Sequence, residues 1–220
     1  MLMLIKHPEI KQKILDELDS EIIQPHLSEL VAAGKMTRGG TVSDLDVLNL
    51  LNFDNQGGLD YYTFCHNESL RMQPPVYFSS SINMMKDCQC DYVKVLADHP
   101  ISIDIYRLHH NPNEWQEPAR FIPERFDSRS PYFLTPNGKP RNPFSFFPFL
   151  GGQRICIGKT FIEAVSKFTV PSLISNFDME FLEGVDPAKF ELPFNNMIST
   201  FVVRNDIYIT LKQRTYSHKA

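Results

Sequence analysis

The stretch Phe149-Leu-Gly-Gly-Gln-Arg-Ile-Cys-Ile-Gly158 places one cysteine, Cys156, in a turn bracketed by glycines, with Arg154 two residues before it. Gly152 permits a backbone conformation that residues with a Cβ atom avoid. Gly158 permits close approach at the start of the helix that we predict after the cysteine. Free N–H groups at a helix start favour a negatively charged thiolate. The stretch therefore predicts a loop that presents a thiolate.

Five residues of this stretch fit the pattern F-x-x-G-x-R-x-C-x-G: Phe149, Gly152, Arg154, Cys156 and Gly158. A chance match at a given start has odds of roughly one in three million, if each residue occurs about once in twenty. The pattern resembles the haem-binding signature of the cytochromes P-450, the haem-thiolate monooxygenases. The resemblance implies that Cys156 is the axial ligand of the iron of haem b. It also implies that Arg154 pairs with a haem propionate and that Phe149 packs against the ligand loop.

Two further patterns resemble landmarks of the same family. Glu68 and Arg71 stand three residues apart, so a helix places them on one face, where a carboxylate and a guanidinium pair. They precede Pro74-Pro75, as in the family's E-x-x-R helix, and Pro123-Glu-Arg-Phe126 resembles its P-E-R-F. The resemblance implies that Arg125 joins the pair in a buried triad. This triad would be a structural clamp behind the haem loop and would take no part in acid–base chemistry.

The landmarks also follow the family's order. His7-Pro8-Glu9 resembles the family's H-P-E, and the stretch that ends with Trp115 and Pro118 resembles H-x-x-P-x-x-W-x-x-P. The resemblance implies a mainly α fold with small β-sheets (α+β), the C-terminal half of the cytochrome P-450 fold. We treat residues 1–220 as one partial domain: helices with a long connection over 1–75, a β region over 76–106, a meander over 107–148, the haem-ligand loop over 149–158, and a final helix with β-hairpins over 159–220.

Apolar spacing predicts the helices. Ile10, Ile14, Leu18 and Ile22 recur every four residues and predict an amphipathic helix over about 8–23, which Pro25 ends. Other helices are predicted over about 42–51, about 60–72 and from after Cys156 to about 176. The last of these is expected to bury Phe161, Val165, Phe168 and Leu173.

Alternating isoleucines predict two half-buried strands. One contains Ile101, Ile103 and Ile105; the other contains Ile207, Ile209 and Leu211, after a turn at Asn205-Asp206. Between these strands lies the meander, which is rich in proline and phenylalanine. Its aromatic content favours an ordered segment packed on a core.

Composition excludes several classes of protein. With 42% hydrophobic residues and 17 Phe, the chain is expected to be globular. Its net charge of −4, without a run of Lys or Arg, argues against a nucleic-acid partner. The apolar start ends at Lys6, short of the roughly 20 residues that span a bilayer, so we expect no anchor or signal peptide in this sequence.

Four cysteines without a disulfide framework favour a reducing, intracellular compartment. Cys65-His66 together with Cys88 and Cys90 could form a zinc site, but their spacings match no common pattern. We interpret these three thiols as incidental. Only Cys156 has a chemical context.

The resemblance implies an oxidoreductase that inserts one atom of O₂ into a lipophilic small molecule, with electrons from a reductase. Family members are about twice as long, and the missing half would carry the membrane anchor and the distal acid–alcohol pair. No catalytic residue is therefore identifiable here; the A-G-x-x-T-like stretch Ala33 to Thr37 follows H-P-E and is interpreted as a coincidence. Membrane attachment, at the endoplasmic reticulum, is expected only through such an anchor.

Three further expectations follow from the resemblance. The alternative function is a truncated, catalytically incompetent fragment that binds haem or a partner. The side chains of Val76 to Ser80 and of Asn196 to Thr200 are expected to face the substrate. Residues 24–58 are expected to hold an insertion whose role the sequence does not reveal.

Overall fold

The computed structural model describes residues 1–42, 47–51, 55–185 and 208–217. Helices dominate these residues and the strands form small antiparallel pairs, so the predicted fold class is confirmed. The α-helices are α1 (Leu2–Lys6), α2 (Pro8–Leu18), α3 (Gln24–Ala32), α4 (Val47–Leu50), α5 (Asp60–Met72), α6 (Ile105–His109) and α7 (Lys159–Asn176).

The strands of the described residues pair two by two. Strand β1 (Thr41–Val42) pairs with β8 (Tyr216–Ser217), β2 (Ile82–Asn83) with β5 (Pro100–Ile101), β3 (Cys88–Cys90) with β4 (Val93–Val95), and β6 (Phe177–Phe181) with β7 (Ile209–Gln213). The chain divides into two compact units. One contains residues 1–66 and the described residues from 157 onward; the other contains residues 67–156.

The first unit is built around α2 and the helical turns that follow it. Ile10, Ile14, Leu18 and Ile22 are all buried, as their spacing predicts. The prediction that Pro25 ends this helix is wrong. Residues Asp19–Ile23 form a π-helical turn that runs directly into α3, and Pro25 lies in the first turn of α3.

Helix α7 ends near the predicted residue, but the prediction of its buried face is wrong. Phe161 is 72% exposed, and Val165 and Leu173 are also exposed. The residues that α7 buries are Pro171, Ile174 and Ser175, and the helix packs on α2 and α4. Periodicity shows which residues share a helix face. It does not show which face packs against the rest of the protein.

Three local predictions need correction. The strand predicted through Ile105 ends at Ile101, because the Asp104 carboxylate accepts the Arg107 N–H and caps α6, which starts at Ile105. The helix predicted from residue 42 is described only over Val47–Leu50, and Val42 lies in β1. Strand β7 is found where a strand is predicted, but its side chains are exposed. The predicted turn at residues 205–206 and Ile207 lie outside the described residues.

The second unit contains the meander, which is ordered by short 3₁₀ turns. These turns, Pro123–Phe126, Pro131–Phe133 and Pro143–Ser145, each begin with a proline. Trp115 is 1% exposed and forms the centre of an aromatic cluster with Phe126 and Phe146. In the part of the chain that the structure describes, no helix combines the length and the apolarity needed to cross a bilayer.

Candidate functional site

Helix α5 carries a buried ion pair near its C-terminal end. The Arg71 Nε donates to Glu68 Oε2 at 2.7 Å and its Nη2 donates to Oε1 at 2.9 Å, so the pair is bidentate. Both side chains are 0% exposed. Their spacing of three residues on one helix produces this geometry directly.

The meander brings a second guanidinium to the same carboxylate. Arg125, also fully buried, donates from Nε to Glu68 Oε1 at 3.1 Å. The Ile122 N–H donates to the same oxygen at 2.9 Å. The structure thus brings together Glu68, Arg71 and Arg125, the three residues that the sequence assigns to a clamp.

Backbone carbonyl groups accept the remaining guanidinium donors. Arg71 donates to the carbonyl oxygens of His109 and Arg120, at 3.0 and 3.2 Å. Arg125 donates to those of Gln116 and Glu117, the second at 2.7 Å. Besides the Glu68 carboxylate, each buried guanidinium therefore has backbone acceptors in the meander.

Sequence reasoning missed a third arginine of this cluster, Arg141. Its guanidinium lies 4.3 Å from the Trp115 ring centroid and donates to the carbonyl oxygens of Tyr132, at 3.0 Å, and Arg125. Burial, followed by the charge of Arg125, lowers the pKa of Arg141 to about 10. In the sequence, Arg141 is only a charged residue in a segment with eight prolines. That pattern does not indicate which residues it contacts.

His109, also missed as a site residue, connects the cluster to the cysteine loop. It is 0% exposed, and its Nε2 accepts the Phe147 N–H at 2.8 Å. Nδ1 therefore carries the proton of the neutral ring, and it has no hydrogen-bond partner of normal geometry in the described residues. Burial, followed by the charge of Arg71, lowers the pKa of His109 to about 4.

The backbone of the cysteine loop is folded back on itself. The Leu150 N–H donates to the Phe147 carbonyl at 3.3 Å, and the Cys156 N–H donates to the Phe149 carbonyl at 2.8 Å. Gly152 has φ of +61°, the left-handed region that favours glycine. A Cβ atom on Gly151 would lie 2.9 Å from the Phe147 ring. The glycines therefore allow a turn that other residues would strain or block.

The side chains at the tip of this loop are open. Cys156 is a free, exposed thiol, and Arg154 is exposed and forms no ion pair with the residues that the structure describes. Ile155 between them is 49% exposed. An exposed sulfur donor beside a guanidinium and an apolar side chain fits the donor set that a haem-thiolate site needs. Gly158 is the N-cap residue of α7.

Comparison with known proteins agrees with this arrangement. The family model "Cytochrome P450" matches residues 1–205. Cytochrome P450 4A10 of Rattus norvegicus is 32% identical over 168 residues, 74% of this chain and 29% of the relative. Cytochrome P450 4F5 of Rattus norvegicus is 36% identical over 132 residues, 58% of this chain and 23% of the relative. The solved structure of retinoic acid bound cyanobacterial CYP120A1 aligns with a TM-score of 0.62 and 25% identity, over 83% of this chain and 35% of that one.

The chain belongs to the cytochrome P450 family, and the predicted resemblance is confirmed. It spans about a third or less of the length of these relatives. The match includes the stretches that contain Glu68, Arg71, Arg125 and Cys156.

Replacement of either clamp arginine should destabilise the protein. In Arg71→Ala or Arg125→Ala, Glu68 loses a buried partner, and we expect the free energy of unfolding to fall by about 3 to 5 kcal/mol. Urea unfolding followed by circular dichroism measures this change. Arg129→Ala is the matched control, because Arg129 is an exposed arginine of the same meander. Equal unfolding midpoints for the three variants would contradict a structural role of the clamp.

His109 should make stability depend on pH. Its pKa in the folded protein, about 4, is below its ordinary value of about 6.5. Between these values the unfolded chain binds the proton more strongly, so the free energy of unfolding should fall as pH is lowered from 6.5 to 4, by roughly 3 kcal/mol. His109→Gln, which keeps an acceptor for the Phe147 N–H, should show a smaller fall. Parallel curves for the two proteins over this window would refute the assignment.

Proposed function

We propose that this chain forms the cysteine-ligating part of a cytochrome P450 oxidoreductase that inserts one atom of O₂ into a lipophilic small molecule, with electrons from a reductase. The observation that supports it best is the position of Cys156. Its thiol is exposed and free, while its backbone N–H is fixed by the Phe149 carbonyl. Family membership supports the class of reaction.

The proposed cofactor is haem b. We assign Cys156 as the axial ligand of its iron and Arg154 as the partner of a propionate, since the guanidinium is exposed two residues from the thiol. When bound, a haem with a thiolate ligand supplies the activation of O₂. We assign Phe149, Gly152 and Gly158 to the shape of the loop that presents the thiol.

The clamp residues have a structural role in this proposal. The guanidinium groups of Arg71 and Arg125 are occupied by Glu68 and by backbone carbonyls, and all three side chains are fully buried. None of them has a free position for proton transfer to a substrate. We assign no acid or base of the oxygen chemistry to this chain.

For substrate contact we propose the side chains that follow α5 and Pro75. Val76, Tyr77 and Phe78 are half-buried. Ser79 is an exception, because its hydroxyl oxygen accepts the Ile103 N–H at 2.8 Å and is committed to the fold. The apolar character of the other three suits a lipophilic substrate. The second expected segment, residues 196–200, lies outside the described residues.

A second candidate function, a non-catalytic haem-binding or interaction fragment, is favoured by one observation. Helix α7 exposes four apolar side chains, and an exposed apolar face promotes association. They are Phe161, Ile162, Val165 and Leu173. A monomeric state of the 220-residue chain at high concentration, measured by analytical ultracentrifugation, would count against this candidate.

Spectroscopy of the haem-loaded chain tests the first proposal. After reconstitution with haem, reduction with dithionite and addition of carbon monoxide, we expect the strongly red-shifted Soret band of a thiolate-ligated haem. The band should be absent in Cys156→Ala, because that variant lacks the sulfur donor. Cys65→Ala controls for the general loss of a thiol. Retention of no haem by the wild-type chain, or an unshifted band, would refute thiolate ligation in this chain.

A further inference from the structure

A second pair of thiols lies outside the proposed haem site, on the hairpin of β3 and β4. Cys88 and Cys90 both belong to β3, and two residues, Asp91 and Tyr92, connect it to β4. Side chains two residues apart on a strand point to the same face. The strand pairing places Val95 opposite Cys88 and Val93 opposite Cys90, so valines flank both thiols on that face.

The distance between the two sulfur atoms is 3.8 Å. The Cα atoms of residues i and i+2 in a strand are about 6.6 to 6.8 Å apart, so both side chains are rotated toward each other. The spacing of these cysteines in the sequence gives no reason to expect a shared role. In the structure, however, the two sulfur atoms approach each other near the surface, and both are soft donor atoms.

That distance matches the ligand spacing of a tetrahedral metal ion. With metal–sulfur bonds of about 2.3 Å and tetrahedral angles, two thiolates on one zinc ion lie about 3.8 Å apart. Thiolates also select soft ions such as zinc over magnesium or calcium. Little movement of the two side chains is therefore needed to bind such an ion.

The lysine of the hairpin lies on the face away from the two thiols. Lys94 is paired with Gln89 in the strand register, and its ammonium group lies 3.0 Å from the Asp87 carboxylate. Asp87 also accepts the Ala97 N–H at 2.9 Å. These contacts stabilise the hairpin and hold the Lys94 ammonium group at Asp87.

We propose that Cys88 and Cys90 form a surface dithiolate site for a zinc-class ion, in which both thiols release their protons to solvent and form two sulfur–metal bonds. No group of three His, Cys, Asp or Glu side chains suited to a metal is found among the described residues. The protein therefore supplies two of four tetrahedral positions, and solvent or an external ligand completes the others.

Strand geometry favours this chelation over a disulfide between the same residues. A disulfide needs Cβ atoms about 3.5 to 4.5 Å apart and Cα atoms no more than about 6.8 Å apart. An i, i+2 pair of a strand is at the upper limit of the second range. Oxidation would also have to bring the sulfur atoms from 3.8 Å to about 2.05 Å, whereas a tetrahedral metal ion accepts the distance that the hairpin already provides.

Cadmium titration of the reduced, metal-free 220-residue chain tests the site. Every sample carries Cys156→Ser, so that the loop thiol does not contribute. We expect one Cd²⁺ per chain, detected by the ultraviolet charge-transfer band of cadmium thiolate, with competition from a large excess of Zn²⁺ but not from Mg²⁺. Because the second thiolate binds intramolecularly, Cys88→Ser or Cys90→Ser should weaken binding by about 100-fold or more.

Cys65→Ser is the matched control, because this thiol is buried in the first unit, and it should leave the titration unchanged. Circular dichroism confirms that each variant is folded. The proposal is overturned if either single variant binds Cd²⁺ as tightly as the parent.

Discussion

The second unit depends on one buried carboxylate that is shared by two guanidinium groups. Glu68 accepts two hydrogen bonds from Arg71, one from Arg125 and one from the Ile122 backbone. A buried charge is tolerated only when its partners satisfy it, so the loss of any of them leaves an uncompensated ion. Helix α5 and the meander are therefore held in one arrangement by a constraint that neither could satisfy alone.

The same cluster explains how a proline-rich segment is ordered almost without strands. Each proline removes an N–H donor but keeps a carbonyl acceptor. A segment rich in proline therefore has more backbone acceptors than donors. The guanidinium groups of Arg71, Arg125 and Arg141 supply donors to backbone acceptors of this segment, none of them on a proline: the carbonyl oxygens of residues 109, 116, 117, 120, 125 and 132. Arginine side chains here replace the partner strand that would otherwise satisfy the backbone. Burial, followed by the positive charge of the neighbouring arginines, lowers the pKa of His109 and that of Arg141.

Sequence reasoning succeeded where the property depends on residues that are close in the sequence of one helix. The spacing of Glu68 and Arg71, the buried stripe of α2 and the bounds of α5 are of this kind. It failed where the partner is distant: His109 and Phe147 are 38 residues apart, and Arg141 and Arg125 are 16 apart. It also failed for α7, because periodicity does not show which surface covers a helix face. The role that we propose for Cys156 rests, at the level of the sequence, on the resemblance of its pattern to a known family.

The clamp and the cysteine loop are connected through His109. Leu150 has φ of +58°, a conformation that costs a residue with a side chain roughly 1 to 2 kcal/mol and persists only when its surroundings fix it. Phe147 provides that support, since its carbonyl accepts the Leu150 N–H and its own N–H is bound by the buried His109 ring. The His109 carbonyl in turn accepts from Arg71. Strain in the turn is thus offset by contacts on the buried side of the loop, whereas the thiol of Cys156, for which we propose the ligand role, is exposed.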